Sequence, residues 1–207
     1  SALLTFSQTL SPTGGWWPHH LPWLIQLILA VVLAEFGSYW WHRAMHETDL
    51  FRLHATHHSA PRLYWLNATR FHPFDNVIMY ALHVTPLTLL GVSESVVVGF
   101  TVWSLVHGFF QHANIDVRLG PLNYVFSMAE LHRWHHSRAL EESNHNYGSN
   151  IILWDLVFST FYWPRTRQPP VDVGLHNLPH FPQRVWPQLL SVFYWTQETE
   201  EAAPTPV

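Results

Sequence analysis

The sequence contains no cysteine and no lysine. The first absence removes disulfides, thiolate metal sites, iron–sulfur clusters and cysteine nucleophiles together, so any metal must sit on nitrogen and oxygen. Charge is scarce: acidic and basic residues make up 12% of the chain, about half the usual soluble share. No Gly-x-Gly-x-x-Gly occurs, so no Rossmann module binds a nicotinamide or flavin, and no His-Glu-x-x-His occurs, as a zinc hydrolase would use. Soluble di-iron carboxylate proteins need Glu-x-x-His on two helices. Here the pattern appears once, in "ESNH".

What is abundant is aromatic and imidazole. The 207 residues include 12 Trp, 13 Phe, 7 Tyr and 17 His, with a net charge of −4. That length suits one domain with a real core. The low charge points to a membrane, while a mean hydropathy of +0.01 implies a substantial polar portion beside the embedded part. The mild net charge carries no electrostatic footprint for nucleic acid, and no nucleic-acid partner is expected.

All 10 basic residues are Arg, with none before Arg43 and none between Arg70 and Arg118. The Arg-free gaps hold the apolar runs 21–41, 77–92 and 95–110. The first rises roughly 30 Å as a helix and can span a bilayer. The other two reach only about 24 Å each and predict a hairpin turning at "GVSES", which crosses a thinned bilayer or enters without fully crossing. A pair of buried helices in a soluble helical protein is the alternative. By the positive-inside rule, residues 43–70 and everything from 118 onward belong on the cytoplasmic side. The organisation expected is an interfacial lead-in over 1–20, a membrane-embedded catalytic domain over 21–163, and a linker, interfacial helix and disordered tail over 164–207. No signal-peptide pattern precedes the first run, and the start at Ser1 suggests that upstream sequence is missing.

The histidines fall into motifs. His42 and His46 lie four apart at the end of the first run, on one helical face. "HATHH" supplies His54, His57 and His58, and "HRWHH" repeats the arrangement with His132, His135 and His136. Adjacent helical residues point about 100° apart, so each His–His pair can serve two different ions. Eight such ligands suit two metals. A lone His-x-x-x-His occurs by chance on many surface helices; three clusters on one membrane face do not. Imidazole suits iron, zinc, copper or nickel, so the ligands alone leave the ion open. Glu35, two turns before His42, either snorkels to the interface or accepts a histidine N–H, and Asn146 and Asp155 are similar supporting candidates.

The order His-x-x-x-His, His-x-x-His-His, His-x-x-His-His resembles the fatty acid hydroxylase and sterol desaturase superfamily of integral-membrane di-iron oxygenases. The resemblance runs from about Glu35 to Trp163 through "EFGSYWWHRAMH", "LNATRFHPFD", "ELHRWHHS" and "NYGSNIILWDLVFSTFYWP". It implies an all-α membrane bundle with a cytoplasmic helical cap and a dimetal site. The implied ligands are His42, His46, His54, His57, His58, His132, His135 and His136. The family also adds histidines from the preceding helix, for which His107 and His112 are candidates, although a spacing of five is not one helical face without a break. His72 in "FHP" suits capping as well as ligation. His83 lacks a partner at helical spacing and reads as a core residue. His145 is not carried over, and His19, His20, His176 and His180 read as interfacial.

The implied activity is hydroxylation of a lipid C–H bond with two irons (Fe2+/Fe3+), O2 and electrons from a ferredoxin or haem-type carrier and its reductase. Arg43, Arg52, Arg62, Arg133 and Arg138 could dock that acidic carrier or contact lipid phosphates and carboxylates. A lipid or sterol desaturase using the same site is the alternative, and a non-catalytic membrane metal-binding protein a remoter one. The all-Arg, no-Lys composition points to a bacterial cytoplasmic membrane.

Overall fold

A computed structural model describes residues 15–178 and 180–194. Its elements are α1 (Trp23–Glu47), α2 (Phe51–His58), α3 (Pro73–Leu89), α4 (Glu94–Gln111), α5 (Ala129–His135), α6 (Leu140–Ser143), α7 (Leu153–Val157) and α8 (Val185–Tyr194). Two 3-10 turns, Trp65–Thr69 and Gly120–Tyr124, complete it. Among the described residues there is no strand beyond two isolated bridges, so the all-α expectation holds.

Helix α1 starts after Pro22, which cannot continue a helix backward. Its 25 residues give about 38 Å, and it is the one described helix long and apolar enough to cross a membrane. It stops where Thr48 turns extended. The Thr48 hydroxyl donates to the Ala44 carbonyl and accepts from Leu50 N–H, closing α1 and opening α2.

The expected hairpin forms as α3 and α4. Pro73 occupies the first turn of α3, where its missing N–H costs nothing, and His72 Nδ1 caps it by accepting from Phe74 N–H. At the far end Gly91 takes φ 79°, while Gly91 N–H reaches Thr88 O and Val92 N–H reaches Leu87 O. That is a Schellman closure, and it reverses the chain into α4. Gly99 lets α4 approach α1: a Cβ there would stand 2.6 Å from Trp23 Cζ2. Ala30, Val31, Ala34, Leu87, Val96 and Phe100 form a buried cluster at this end. The outward faces stay apolar, exposing Trp23, Leu24, Ile28, Val77, Tyr80, Val98, Val102 and Val106. A belt this continuous across three helices is covered by something other than water.

At the opposite end the short helices α2, α5, α6 and α7 form a cap. Glu130 pins α5 by accepting from Arg118, Leu119 N–H, Asn123 and Trp163 Nε1. The closing element expected over 182–195 is α8, which buries Gln188, Ser191 and Val192 and exposes Trp186, Phe193 and Tyr194. Residues 1–14 of the lead-in and the tail beyond 194 lie outside the described residues.

Candidate metal centre

Nine imidazoles converge where α1, α2 and α5 meet the end of α4. They form two groups: His42, His46, His54, His58 and His135, and His57, His112, His132 and His136. Within each group the potential ligand atoms lie within 4.8 Å of one another. Both adjacent pairs split as their 100° separation requires: His57 and His58 face different groups, and so do His135 and His136. All are buried except His46, which is half-buried.

The hydrogen bonds settle which nitrogen of six rings carries the proton. His42 Nδ1–H donates to the Tyr147 carbonyl, His57 to Arg70, His112 to Gly108 and His135 to His145, at 2.7, 3.3, 2.8 and 2.8 Å. His54 donates to Asp75 Oδ2 at 2.8 Å and His46 to Asn144 Oδ1 at 3.3 Å. Carbonyls and carboxylates only accept, so each Nε2 of these rings presents a lone pair. Yet Nε2 atoms face one another at 3.0 Å (His42, His54), 3.1 Å (His46, His58), 3.2 Å (His57, His112), 2.9 Å (His112, His132) and 3.0 Å (His132, His136). In the His42–His54 and His57–His112 pairs both Nδ1 atoms carry the proton, so two lone pairs point together, which repel unless a cation lies between them. Metal–nitrogen bonds of about 2.1 Å at right angles place neighbouring nitrogens about 3.0 Å apart, whereas a tetrahedron needs about 3.4 Å. Each group could therefore hold an ion, and His135 Nε2, buried without a partner, is a further potential ligand atom within the first group. Burial also holds His54, His57, His58, His132, His135 and His136 well below the ordinary imidazole range, keeping them neutral and ligand-competent.

The support comes from two places. Asp75, in the first turn of α3, accepts from His54 and, through its other oxygen, from Trp41 Nε1 at 3.0 Å. Nothing in "FHPFD" marks it, because an acid at a helix start has many ordinary reasons to exist. The loop 144–150 supplies three of the acceptors: Asn144 Oδ1, His145 O and Tyr147 O. Its shape is held by Asn146, at φ 56°, whose side chain bonds Leu131 O, Tyr162 O and Tyr162 N–H. Asp155 accepts from Tyr147 N–H and Gly148 N–H. Glu35 accepts from Ser149 N–H, Asn150 N–H and Asn150 Nδ2. So Glu35 does not accept a histidine N–H. It, Asn146 and Asp155 act one layer further out, on the backbone whose carbonyls orient the rings.

His107 does not join its fellow candidates. Helix α4 runs unbroken to Gln111 with His112 as its cap, so a spacing of five leaves the two rings about 140° apart. His112 reaches the second group, while His107 Nε2 bonds the Ser127 carbonyl at 2.7 Å. His72 caps α3 and bonds Leu189 O. His145 lends its carbonyl alone to the centre, His176 bonds the Arg138 carbonyl, and His19 and His20 lie exposed at the start of the described chain. Of the arginines, Arg43 pairs with Glu47 and Arg138 with Asp172, so these two have carboxylate partners within the chain.

A cavity of about 270 Å³ runs from His42, His54, His57, His112 and His132 up between α3 and α4. On the cap side a second hollow of about 190 Å³ reaches His46 and His58 past Asn144 and His176.

The geometry defines a class: a helical protein in which a histidine-only pocket for two metals closes one end of a largely apolar cavity. Comparison with known proteins carries this further. The fatty acid hydroxylase family profile matches residues 27–160, and the chain belongs to that family. It is 42% identical to the ornithine lipid hydroxylase OlsE of Rhizobium tropici over 176 residues, 84% of this chain and 53% of that protein. It is 31% identical to human alkylglycerol monooxygenase over 62% of this chain and 28% of that protein. A match at 27% covers 69% of this chain and 54% of the rice very-long-chain aldehyde decarbonylase GL1-8. The chain thus spans about half, or less, of these relatives' lengths. No solved structure matches it.

Proposed function

We propose that this chain is the catalytic unit of a membrane oxygenase that hydroxylates a C–H bond of an amphiphilic lipid. One observation carries the reading: two groups of buried imidazoles whose Nε2 atoms converge, with opposed lone pairs in the His42–His54 and His57–His112 pairs, at the end of a cavity whose other walls are mostly apolar. Two iron ions held by the nine grouped histidines would supply the activation of O2 and the oxidation of carbon. The chain itself does the rest. Asp75 and the loop carbonyls lock the rings with Nε2 inward, and the cavity admits an apolar chain while excluding bulk water.

The Arg distribution supports a cap on the cytoplasmic side of the membrane, with α1 spanning and the α3–α4 hairpin embedded among acyl chains. The exposed apolar belt supports this arrangement. Substrate would then enter laterally from the bilayer, and electrons would arrive from a ferredoxin or haem protein on the cap side, where the hollow beside His46 comes closest to solvent. Relatives named for ornithine lipid and alkylglycerol suggest a lipid with a polar head rather than a plain hydrocarbon.

The test is mass spectrometry of membrane lipids from a host expressing the chain with a suitable electron donor. A lipid species heavier by one oxygen atom is expected with the wild type and absent with His135→Ala. A wild-type protein fully loaded with iron that adds oxygen to no lipid sinks the reading.

A further inference from the structure

Away from the metals the cavity is not uniformly apolar. His83 Nε2, Ser104 Oγ and Asn150 Oδ1 are all buried without a hydrogen-bond partner, and all three residues line the same cavity as the inner histidines. They come from three elements: α3, α4 and the loop after Gly148. His83 is eight residues along α3 from Asp75, and Ser104 is eight before His112, so each stands about 12 Å from the metal end. Asn150 is held by Glu35, itself seven residues before His42 on α1, which is about 10 Å.

The absent partners have specific alternatives that the fold declines. On the same helix Thr101 returns its hydroxyl to the Val97 carbonyl, and Thr88 and Ser38 do likewise on their own helices. Ser104 had this option and does not take it. The Asn150 amide has a defined orientation, since its Nδ2 donates to the Glu35 carboxylate at 2.9 Å, which leaves Oδ1 as the free end. An unmet buried polar atom costs stability. Three in one cavity form a polar set in otherwise largely apolar walls.

We propose that His83, Ser104 and Asn150 form a polar subsite that fixes the substrate's depth by binding one group that both donates and accepts hydrogen bonds, about 10–12 Å from the metals. Asn150 Oδ1 can only accept, so the ligand must bring a hydrogen. Ser104 can donate as well as accept, and His83 Nε2 takes either role with its tautomer, so a group that also brings an acceptor can satisfy all three. A hydroxyl or secondary amide within the lipid meets both demands. An ester or ether lacks the donor, and a hydrocarbon meets neither. The subsite rests on the reading that the cavity receives the lipid, and it would select which carbon reaches the centre.

The experiment is calorimetric titration of the metal-loaded protein in nanodiscs with N-hexylhexanamide, a secondary alcohol of the same chain length, hexyl hexanoate and tridecane. The amide and the alcohol should each bind about tenfold or more tighter than the alkane. In Ser104→Ala and in His83→Phe that preference should fall about tenfold, with alkane binding and metal content unchanged. The ester should bind more weakly than the amide to the wild type. Equal affinity for amide, ester and alkane overturns the subsite, and so does an equal weakening of all probes in both variants. Amide and ester binding alike, with both above the alkane, overturns the part given to Asn150. Because binding is read without turnover, the two ideas separate. Selective binding by a protein that oxidises no lipid leaves the subsite standing and removes the oxygenase, while lipid oxidation with flat binding does the reverse.

Discussion

Two regions build the metal centre by different means. The helices α1, α2 and α5, with His136 capping α5, carry eight of its nine imidazoles at spacings of one, three and four, and a helix alone puts such residues on defined faces. The loop 144–150 carries no ligand, has no repeat and bends through the left-handed Asn146, yet three of its groups set the rings of His42, His46 and His135. All three of those rings belong to the five-histidine group. The other group draws its acceptors from Arg70 and Gly108, close in sequence to the helices it uses. One histidine group thus depends on a distant loop and the other on nearer backbone, so two ions held there should not be equally robust.

The largest effect should come from a ligand. His135→Ala is expected to abolish product formation and to leave at most about one metal per chain by elemental analysis, because its Nε2 points into the first group and its neighbour His136 serves the second. Full retention of two ions would show that the grouping is wrong. Asp75→Asn comes next: the carboxylate that orients His54 is lost while size is kept, and metal affinity or activity should fall by about 10–100-fold. A variant indistinguishable from wild type in both would remove Asp75 from the site.

Asn146→Ala tests the asymmetry itself. It strips the loop of three side-chain bonds and should cost about 1–3 kcal/mol of stability, while lowering occupancy of one ion ahead of the other. Two ions lost in parallel during chelator titration would break the comparison.

Acid should act on the metal-free protein in a set direction. Burial lowers the grouped imidazoles outside α1 below their ordinary value of about 6.5, so below that pH the unfolded chain binds more protons than the fold. Stability of the apo form should therefore fall as pH drops through about 6.5, with bound metal opposing the loss; an apo melting temperature that rises on acidification contradicts it. The smallest effect belongs to His107→Gln, which should keep both metals, since His107 serves the Ser127 carbonyl and no ion. Loss of a metal in that variant would return it to the ligand set.

Much of this was open to reading along the chain. Apolar runs separated by Arg-bearing segments gave the helix order, and the split of His57 from His58 and of His135 from His136 follows from helical geometry. His107 and His112 were equivalent on paper, because spacing alone cannot say whether a helix breaks between two residues. Glu35, Asn146 and Asp155 stood out as polar groups in apolar surroundings, but their partners are backbone groups far away in sequence, and no side-chain pattern announces a backbone partner. Asp75 was hidden for the opposite reason, since an acid in a helix's first turn is ordinary.

By itself, then, the sequence determined the ligand chemistry, the helix faces that present it and the apolar segments around it, because these depend on residue type and on a fixed rise and rotation per residue. Tertiary structure alone decided which nitrogen faces inward where a ring has an acceptor, which of two candidate histidines joins the cluster, and which polar atoms are left open in the cavity. Those outcomes depend on where a carbonyl from one segment lands beside an imidazole of another, and distances between remote segments are set only when the chain has folded.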